Sequence, residues 1–447
     1  MLCYYFPPAA ASGSVRPASF CSYLHQFGYR PQVWTAPVHA IHPPISEDLS
    51  LLNLLPPDLS IEKIDYLDRR RVLLSWRNHL FRLRSQPTSH SDATPRDESA
   101  SHERASNRLA AIRDYWVGRL FMFPDQQKDW ARKVVRLARR IPPSKRPDVV
   151  FATGSPWSSL LAGQLIAEEM GVPYVADFRD PWARNLRESL RSRFDADAAR
   201  LERQILASAT RIVANTDALR DYFCDVDESL REKVVTINNG INKELLAVAA
   251  EERPAVKKQA AVELHYFGTI SRWRMPRALL KALDELLSSL EIDRERFRVV
   301  FTGSWAALEP ELKSQIERLQ SAGVLEKLPA VSYDECIQRM RVADHLLILQ
   351  QGYPLQIPAK TYEYLAMGRP IVVLGGEGAT ANLVESRRIG VICEDSLPQI
   401  KELIRRLTSG ELLVPSASPL AVAEFHYENL TRKLAAVFDD AMAGMRQ

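Results

Sequence analysis

The chain has 447 residues, 46% hydrophobic and 26% charged, with a net charge of +4. These values suit about two or three soluble globular domains and exclude a disordered or collagen-like chain. The charge excess is too small to imply a nucleic-acid partner. Cys3, Cys21, Cys224, Cys336 and Cys393 lack paired spacing, which argues against a disulfide framework or zinc site and for a reducing compartment. No apolar run approaches transmembrane length, no signal-peptide pattern opens the chain, and no repeat of solenoid period is visible.

Residues 1–6 read as a strand, and residues 7–14 as a turn of small residues that includes Gly13. Residues 15–27 carry apolar side chains at helical spacing, and Gly28 is placed to end that helix. Strands are expected at 31–35 and 61–67. Residues 69–84 form a basic helix with Trp76, Leu80 and Phe81, whereas 85–107 lack large apolar residues and read as a disordered insertion. Residues 108–117 read as a further helix. Between 121 and 141, Trp130, Val134, Leu137, Ala138 and Ile141 form a stripe among Lys128, Arg132, Lys133, Arg136, Arg139 and Arg140. Such a helix either lies on an anionic membrane or turns its stripe to the core and its cations to water. A strand–helix–strand unit follows at 148–152, 156–170 and 173–177, and Asp177, Arg179 and Asp180 stand at its carboxyl end. Ligands of open α/β sheets bind at such ends. Asp177 there would orient or deprotonate a hydroxyl, and Arg179 would bind phosphate or pair with an aspartate. Asp180 would contact ligand or form an Asx-type turn with Pro181-Trp182. A helix at 195–208, a strand at 211–214, a short helix at 217–223 and a strand at 233–237 lead to the turn Asn238-Asn239-Gly240, which is expected to need positive φ. Residues 247–260 read as a linker.

The alternation of strand and helix then restarts, which predicts a parallel sheet covered on both faces. Strands are expected at 262–267, 298–302, 345–350, 371–374 and 390–393. Helices are expected at 276–290, 310–322, 333–342, 359–367, 379–387, 397–408 and 419–445. Gly268, Thr269, Arg272, Arg274 and Arg277 follow the first of these strands, and arginine forks match phosphate oxygens. In Leu355–Gly378, Lys360 and Glu363 share a helix face, while Gly375, Gly376 and Gly378 lie between a strand and a helix N-terminus. Lysine neutralises phosphate and a carboxylate accepts hydrogen bonds from ribose hydroxyls, so the stretch suggests a nucleotide-diphosphate site. An ordinary βαβ unit with a surface lysine and glutamate would show the same pattern.

IPAKTYEYLAMGRPI resembles the donor-binding segment of GT-B glycosyltransferases, in particular retaining family 4. YYFPPAAASGSVRPASFCSYLHQFGYRPQVWT and DVVFATGSPWSSLLAGQLIAEEMGVPYVADFRDPW are similar to two N-terminal segments of that family. The resemblance implies an α/β chain of two facing Rossmann-like domains with a deep interdomain cleft. Residues 1–246 would bind the acceptor and 261–418 the nucleotide sugar, with 419–447 packing back on the first domain. It implies transfer of a sugar from a nucleotide diphosphate sugar to a glycan or lipid-linked acceptor with retention, at the cytoplasmic side of a membrane. Peripheral contact would run through 69–84 and 128–140, in surface polysaccharide or glycolipid synthesis. Asp177, Arg272 and Lys360 would be catalytic. Gly13, Gly268, Thr269, Arg272, Arg274, Lys360, Glu363, Gly375 and Gly376 would bind donor, and Asp177, Arg179 and Asp180 acceptor. No metal or cofactor is expected, because cations take that role. The family pattern has a glutamate where this chain has Leu355, so a nucleotide-sugar epimerase or hydrolase, or a non-catalytic binding subunit, is the alternative.

Overall fold

The computed structural model describes residues 1–69, 123–183, 191–250, 261–418 and 422–444. The expected basic helix beyond Arg69, the 85–107 insertion and the 108–117 helix lie outside these residues. The chain divides into two compact units, Met1–Val213 with Ala436–Gln447, and Ala214–Ala435.

In the first unit the expected opening strand shrinks to a parallel bridge at Leu2, set between Trp34 and Ala152. Leu2 N–H donates to Phe151 O at 2.8 Å and Cys3 N–H to Trp34 O at 3.0 Å. Pro7 and Pro8, which lack N–H donors, end the extension. Helix α1 (Ser12–Leu24) begins inside the expected turn and closes through a short 3-10 turn at Gly28. Strands β1 (Gln32–Thr35) and β2 (Ser60–Lys63) pair in parallel, the second shorter than expected. Helix α2 (Lys128–Ala138) settles the two readings of the basic stripe. Trp130, Ala131, Val134, Val135 and Ala138 are buried, and the Trp130 ring meets Tyr4 edge-on at 5.2 Å. Arg132, Arg136, Arg139 and Arg140 face water, so the apolar face that would enter a bilayer is already covered by protein.

Strand β3 (Val150–Gly154), helix α3 (Trp157–Met170) and strand β4 (Tyr174–Phe178) form the parallel βαβ unit expected. Both strands are buried throughout, as a central parallel sheet requires. Helix α4 (Arg191–Ser208) leads into β5 (Arg211–Ala214), which lies beside β4. Late in the chain, Phe438 packs edge-on against Tyr29 and Phe151, and Tyr29 OH donates to Asp439 at 2.5 Å.

In the second unit, α5 (Asp217–Val226) is capped by the Thr216 hydroxyl, and β6 (Val234–Thr236) follows. The turn after it contains no positive φ. Gly240 is needed there for close approach, since a Cβ would press on Leu430 and the Phe425 carbonyl. The start of the expected linker is instead part of helix α6 (Lys243–Ala250). The sheet contains β7 (Val262–Phe267), β8 (Phe297–Thr302), β9 (Leu325–Leu328), β10 (His345–Leu349), β11 (Ile371–Leu374) and β12 (Gly390–Cys393). Its order is β12-β11-β10-β7-β8-β9, all parallel. The short edge strand β9 was not legible, because Glu326 and Lys327 interrupt its apolar pattern. Helices α7 (Arg277–Ser288), α8 (Pro310–Ser321), α9 (Tyr333–Val342), α10 (Lys360–Met367), α11 (Ala379–Arg387) and α12 (Leu397–Thr408) cover it. Alternate strand residues feed two cores: Leu347, Leu349, Val372 and Leu374 on one face, Leu346, Ile348, Ile371 and Val373 on the other. Helix α13 (Tyr427–Ala443) ends the described chain.

Candidate functional site

The order of the second sheet reverses between β7 and β10, which makes their carboxyl ends the place for a ligand. The two strands pair at Leu264–His345 and His265–Leu346 and then diverge. Phe267, at the end of β7, therefore sends its N–H to the Tyr364 hydroxyl on α10, at 3.2 Å. Beyond it Gly268 donates to Thr302 O at 3.0 Å, and Thr269 Oγ1 lies 3.1 Å from Ser304 Oγ. Gly303 must be glycine, because its φ is 142° and a Cβ would overlap Gly268 O. Arg272 and Arg274 follow in a 3-10 turn. Arg272 is exposed and, among the described residues, forms no ion pair or hydrogen bond. The Arg274 guanidinium lies over the Tyr353 ring, 5.0 Å from its centre. Arg277 is paired with Glu309 at 2.9 Å.

On α10 the Lys360 ammonium sits 2.5 Å from Glu363 Oε2, 3.8 Å from Cys336 Sγ and 5.5 Å from the centre of the Tyr333 ring. Burial opposes the lysine's charge, but Glu363 and Cys336 outweigh it and hold its pKa above the ordinary value. Burial pushes the Cys336 thiol up. A cation and a hydrogen-bond acceptor are thus held side by side on one helix face.

The loop after β10 is tightly fixed. Buried Gln350 donates to Tyr353 O at 2.5 Å and to Gln356 O at 2.9 Å. Thr216 Oγ1 donates to Leu355 O at 2.7 Å, and Thr380 Oγ1 to Gln356 O at 3.1 Å. The glycine-rich turn offers fewer donors than its sequence suggests. Gly375 N–H is bound to Cys393 O at 3.0 Å and Ala379 N–H to Pro354 O at 2.7 Å. Gly375 thus contributes shape, while Gly376 is exposed with open space at its Cα. Buried polar atoms without a partner among the described residues include Thr302 Oγ1, Trp305 Nε1 and both amide atoms of Gln351, at or just beyond the ends of β8 and β10. Such atoms require an explanation such as water or ligand, and no motif marked them.

In the first unit Asp177 is fully buried. Its Oδ1 receives Arg16 Nη2 at 2.8 Å and its Oδ2 receives the Thr153 hydroxyl at 2.7 Å. Arg16 is itself buried and stacks on Phe20 at 4.8 Å. Both carboxylate oxygens are occupied inside the unit, so this geometry does not present Asp177 to an acceptor. It joins α1 to β4. Arg16, a lone charge in an otherwise small and apolar helix, was the available signal. Arg179 donates to Gly154 O at 3.3 Å and to Ser155 O. Its guanidinium covers Gly13, where a Cβ would overlap Nη1, so Gly13 accommodates Arg179. The expected Asx turn at Asp180 is absent. Trp182 and Ala183 instead donate their N–H groups to buried Glu202, at 2.8 and 3.0 Å. Asp180 is half-buried and forms no hydrogen bond among the described residues. Asp125 caps α3 through Ser158 N–H at 2.7 Å and Oγ at 2.6 Å, and burial pushes its carboxyl up.

Among the described residues no three or more His, Cys, Asp or Glu side chains gather as metal ligands. Among them, too, no helix is long and apolar enough to cross a membrane.

Residues 71–245 match the family model for Glycosyltransferase Family 4. D-inositol 3-phosphate glycosyltransferase of Kineococcus radiotolerans is 28% identical over 54% of this chain and 59% of its own length. D-inositol 3-phosphate glycosyltransferase 1 of Catenulispora acidiphila is 26% identical over 67% and 73%. The matched stretch therefore spans about three fifths of the Kineococcus relative. Among solved structures, Anabaena HepE in complex with UDP superposes with a TM-score of 0.58 at 16% identity over 98% of both chains. HepE has also been solved with UDP-glucose. The lipopolysaccharide outer core galactosyltransferase WaaB superposes at 0.55 and 9% identity over 99% of this chain and 98% of its own. With two Rossmann-like units and these superpositions, the chain has the GT-B fold, and its residues 71–245 are similar to glycosyltransferase family 4.

Proposed function

We propose that the chain transfers a sugar from a nucleotide diphosphate sugar to a glycan or lipid-linked acceptor, with retention at the anomeric carbon. The observation that carries this reading is the face between β7 and β10, where Arg272, Arg274, Lys360 and Glu363 stand at the carboxyl ends of parallel strands. Negative charge builds on the β-phosphate as the anomeric bond breaks, and preorganised cations stabilise it. Lys360 and Arg272 supply that charge, Glu363 receives the ribose hydroxyls, and the Gly376 turn allows close approach. The UDP bound by the similar HepE supports a nucleoside diphosphate as ligand. Asp177 is enclosed by Arg16 and Thr153, so the departing phosphate, on the face where the acceptor enters, is the better base in this reading. Arg179 and Asp180 remain the acceptor-side residues. The setting is surface polysaccharide or glycolipid assembly at a cytoplasmic membrane face. Membrane contact there is electrostatic, through the exposed cations of α2.

The test is a thermal-shift and calorimetric screen of UDP, ADP, GDP, dTDP and their sugar conjugates, since a ligand of the native state raises its apparent stability. Binding of one diphosphate, followed by acceptor-dependent release of it from its sugar conjugate, is the expected result. Binding without acceptor-dependent release points to the epimerase or hydrolase reading, and absence of all binding overturns both.

A further inference from the structure

We infer that Tyr364 is a positioning residue for the diphosphate grip: its hydroxyl locks α10 to the last residue of β7. The inference rests on the donor-site reading above. β7 loses its β10 partner beyond His265, so the Phe267 N–H has no strand carbonyl to bond on that side. A buried backbone donor left in that state costs free energy comparable to a lost hydrogen bond. Tyr364 OH accepts this N–H at 3.2 Å, and the Tyr364 and Phe267 rings pack edge-on at 6.4 Å. The side chain is 1% exposed, so it acts through the backbone and not on ligand.

The position of this bond gives it its consequence. Tyr364 follows Glu363 directly and lies one helical turn beyond Lys360. Phe267 directly precedes Gly268 and the loop that carries Arg272 and Arg274. One hydrogen bond thus fixes the helix bearing one cation against the loop bearing the other two. Among the described residues no backbone–backbone hydrogen bond joins these two segments. A diphosphate spanning Lys360 and the arginines is sensitive to their separation, whereas a nucleoside held at Glu363 is not.

Tyr362 provides the contrast, because it lies on the same helix and packs on Phe425 at 5.2 Å. The experiment measures, by calorimetry, the affinity of the tightest-binding member of UDP, ADP, GDP and dTDP, and of its parent nucleoside, for the full chain. Wild type is compared with Tyr364→Phe, Tyr364→Met and Tyr362→Phe, with far-ultraviolet circular dichroism confirming the fold. Loss of the hydroxyl should weaken the diphosphate about five- to tenfold and leave the nucleoside unchanged, the scale of one hydrogen bond. Tyr362→Phe should alter neither affinity. Unchanged diphosphate affinity in a folded Tyr364 variant, or equal losses for diphosphate and nucleoside, overturns the inference. A wild-type chain that binds no diphosphate overturns the donor-site reading, and this inference with it.

Discussion

Lys360 and Glu363 meet at 2.5 Å across one turn of α10, so the two groups proposed for phosphate and ribose hold each other. A ligand that engages both groups, as proposed, would share this contact or divide it. Lys360→Ala should weaken a nucleoside diphosphate far more than its nucleoside, and Glu363→Gln should weaken ribonucleosides and their diphosphates alike. Because each group buffers the other, the double variant should depart from additivity by at least about 0.5 kcal/mol. Calorimetric titration of the four proteins checks this, and strict additivity argues against a shared site.

Arg16 and Asp177 predict a different phenotype. Removing one partner of a buried pair leaves an uncompensated charge, which costs about 3–5 kcal/mol. Asp177→Ala and Arg16→Met should each lower the urea midpoint steeply, and the double variant Arg16→Met/Asp177→Leu should recover much of it. Should Asp177→Asn keep full stability yet lose transfer, a catalytic role for the carboxylate would be restored.

Two glycines should separate by stability. Gly303→Ala places a Cβ against Gly268 O at φ 142°, a strain of about 1–3 kcal/mol, and should also weaken nucleotide binding by displacing the Gly268 loop. Gly376→Ala, with open space around it, should stay within about 0.5 kcal/mol of wild type in thermal unfolding.

Acid should destabilise the second unit in two steps. Hydrogen bonds from His265 and Arg298 hold the Glu263 carboxyl down, from 4.5 to about 2. Its contribution is complete above pH 4.5 and is lost as pH falls toward 2. Burial holds His345 below its ordinary 6.5. The unfolded chain therefore takes up that proton first, and stability declines as pH drops below 6.5. Urea midpoints measured against pH should show both declines. Glu263→Gln should flatten the lower one and His345→Phe the upper one.

Much of the second unit was legible because its evidence is local. A β-branched run such as Ile371–Leu374 and the Gly368 stop after α10 declare themselves within a few residues. Lys360 and Glu363 were found for the same reason, since residues one turn apart share a face in any helix. The edge strand β9 escaped and the opening strand was read too long, because the extent of each depends on neighbours distant in sequence.

Sequence by itself determined the strand–helix alternation, the parallel class of the sheets and the residue types gathered at the strand ends, all of which follow from periodicity and turn chemistry. Tertiary structure alone decided the partners. It enclosed Asp177 with Arg16 and Thr153, laid Arg179 over Gly13, took the Gly375 and Ala379 donors for Cys393 and Pro354, and set Tyr364 at the parting of β7 and β10. Hydrogen-bonding capacity is a property of a residue, but whether it is satisfied depends on atoms that folding brings from elsewhere in the chain.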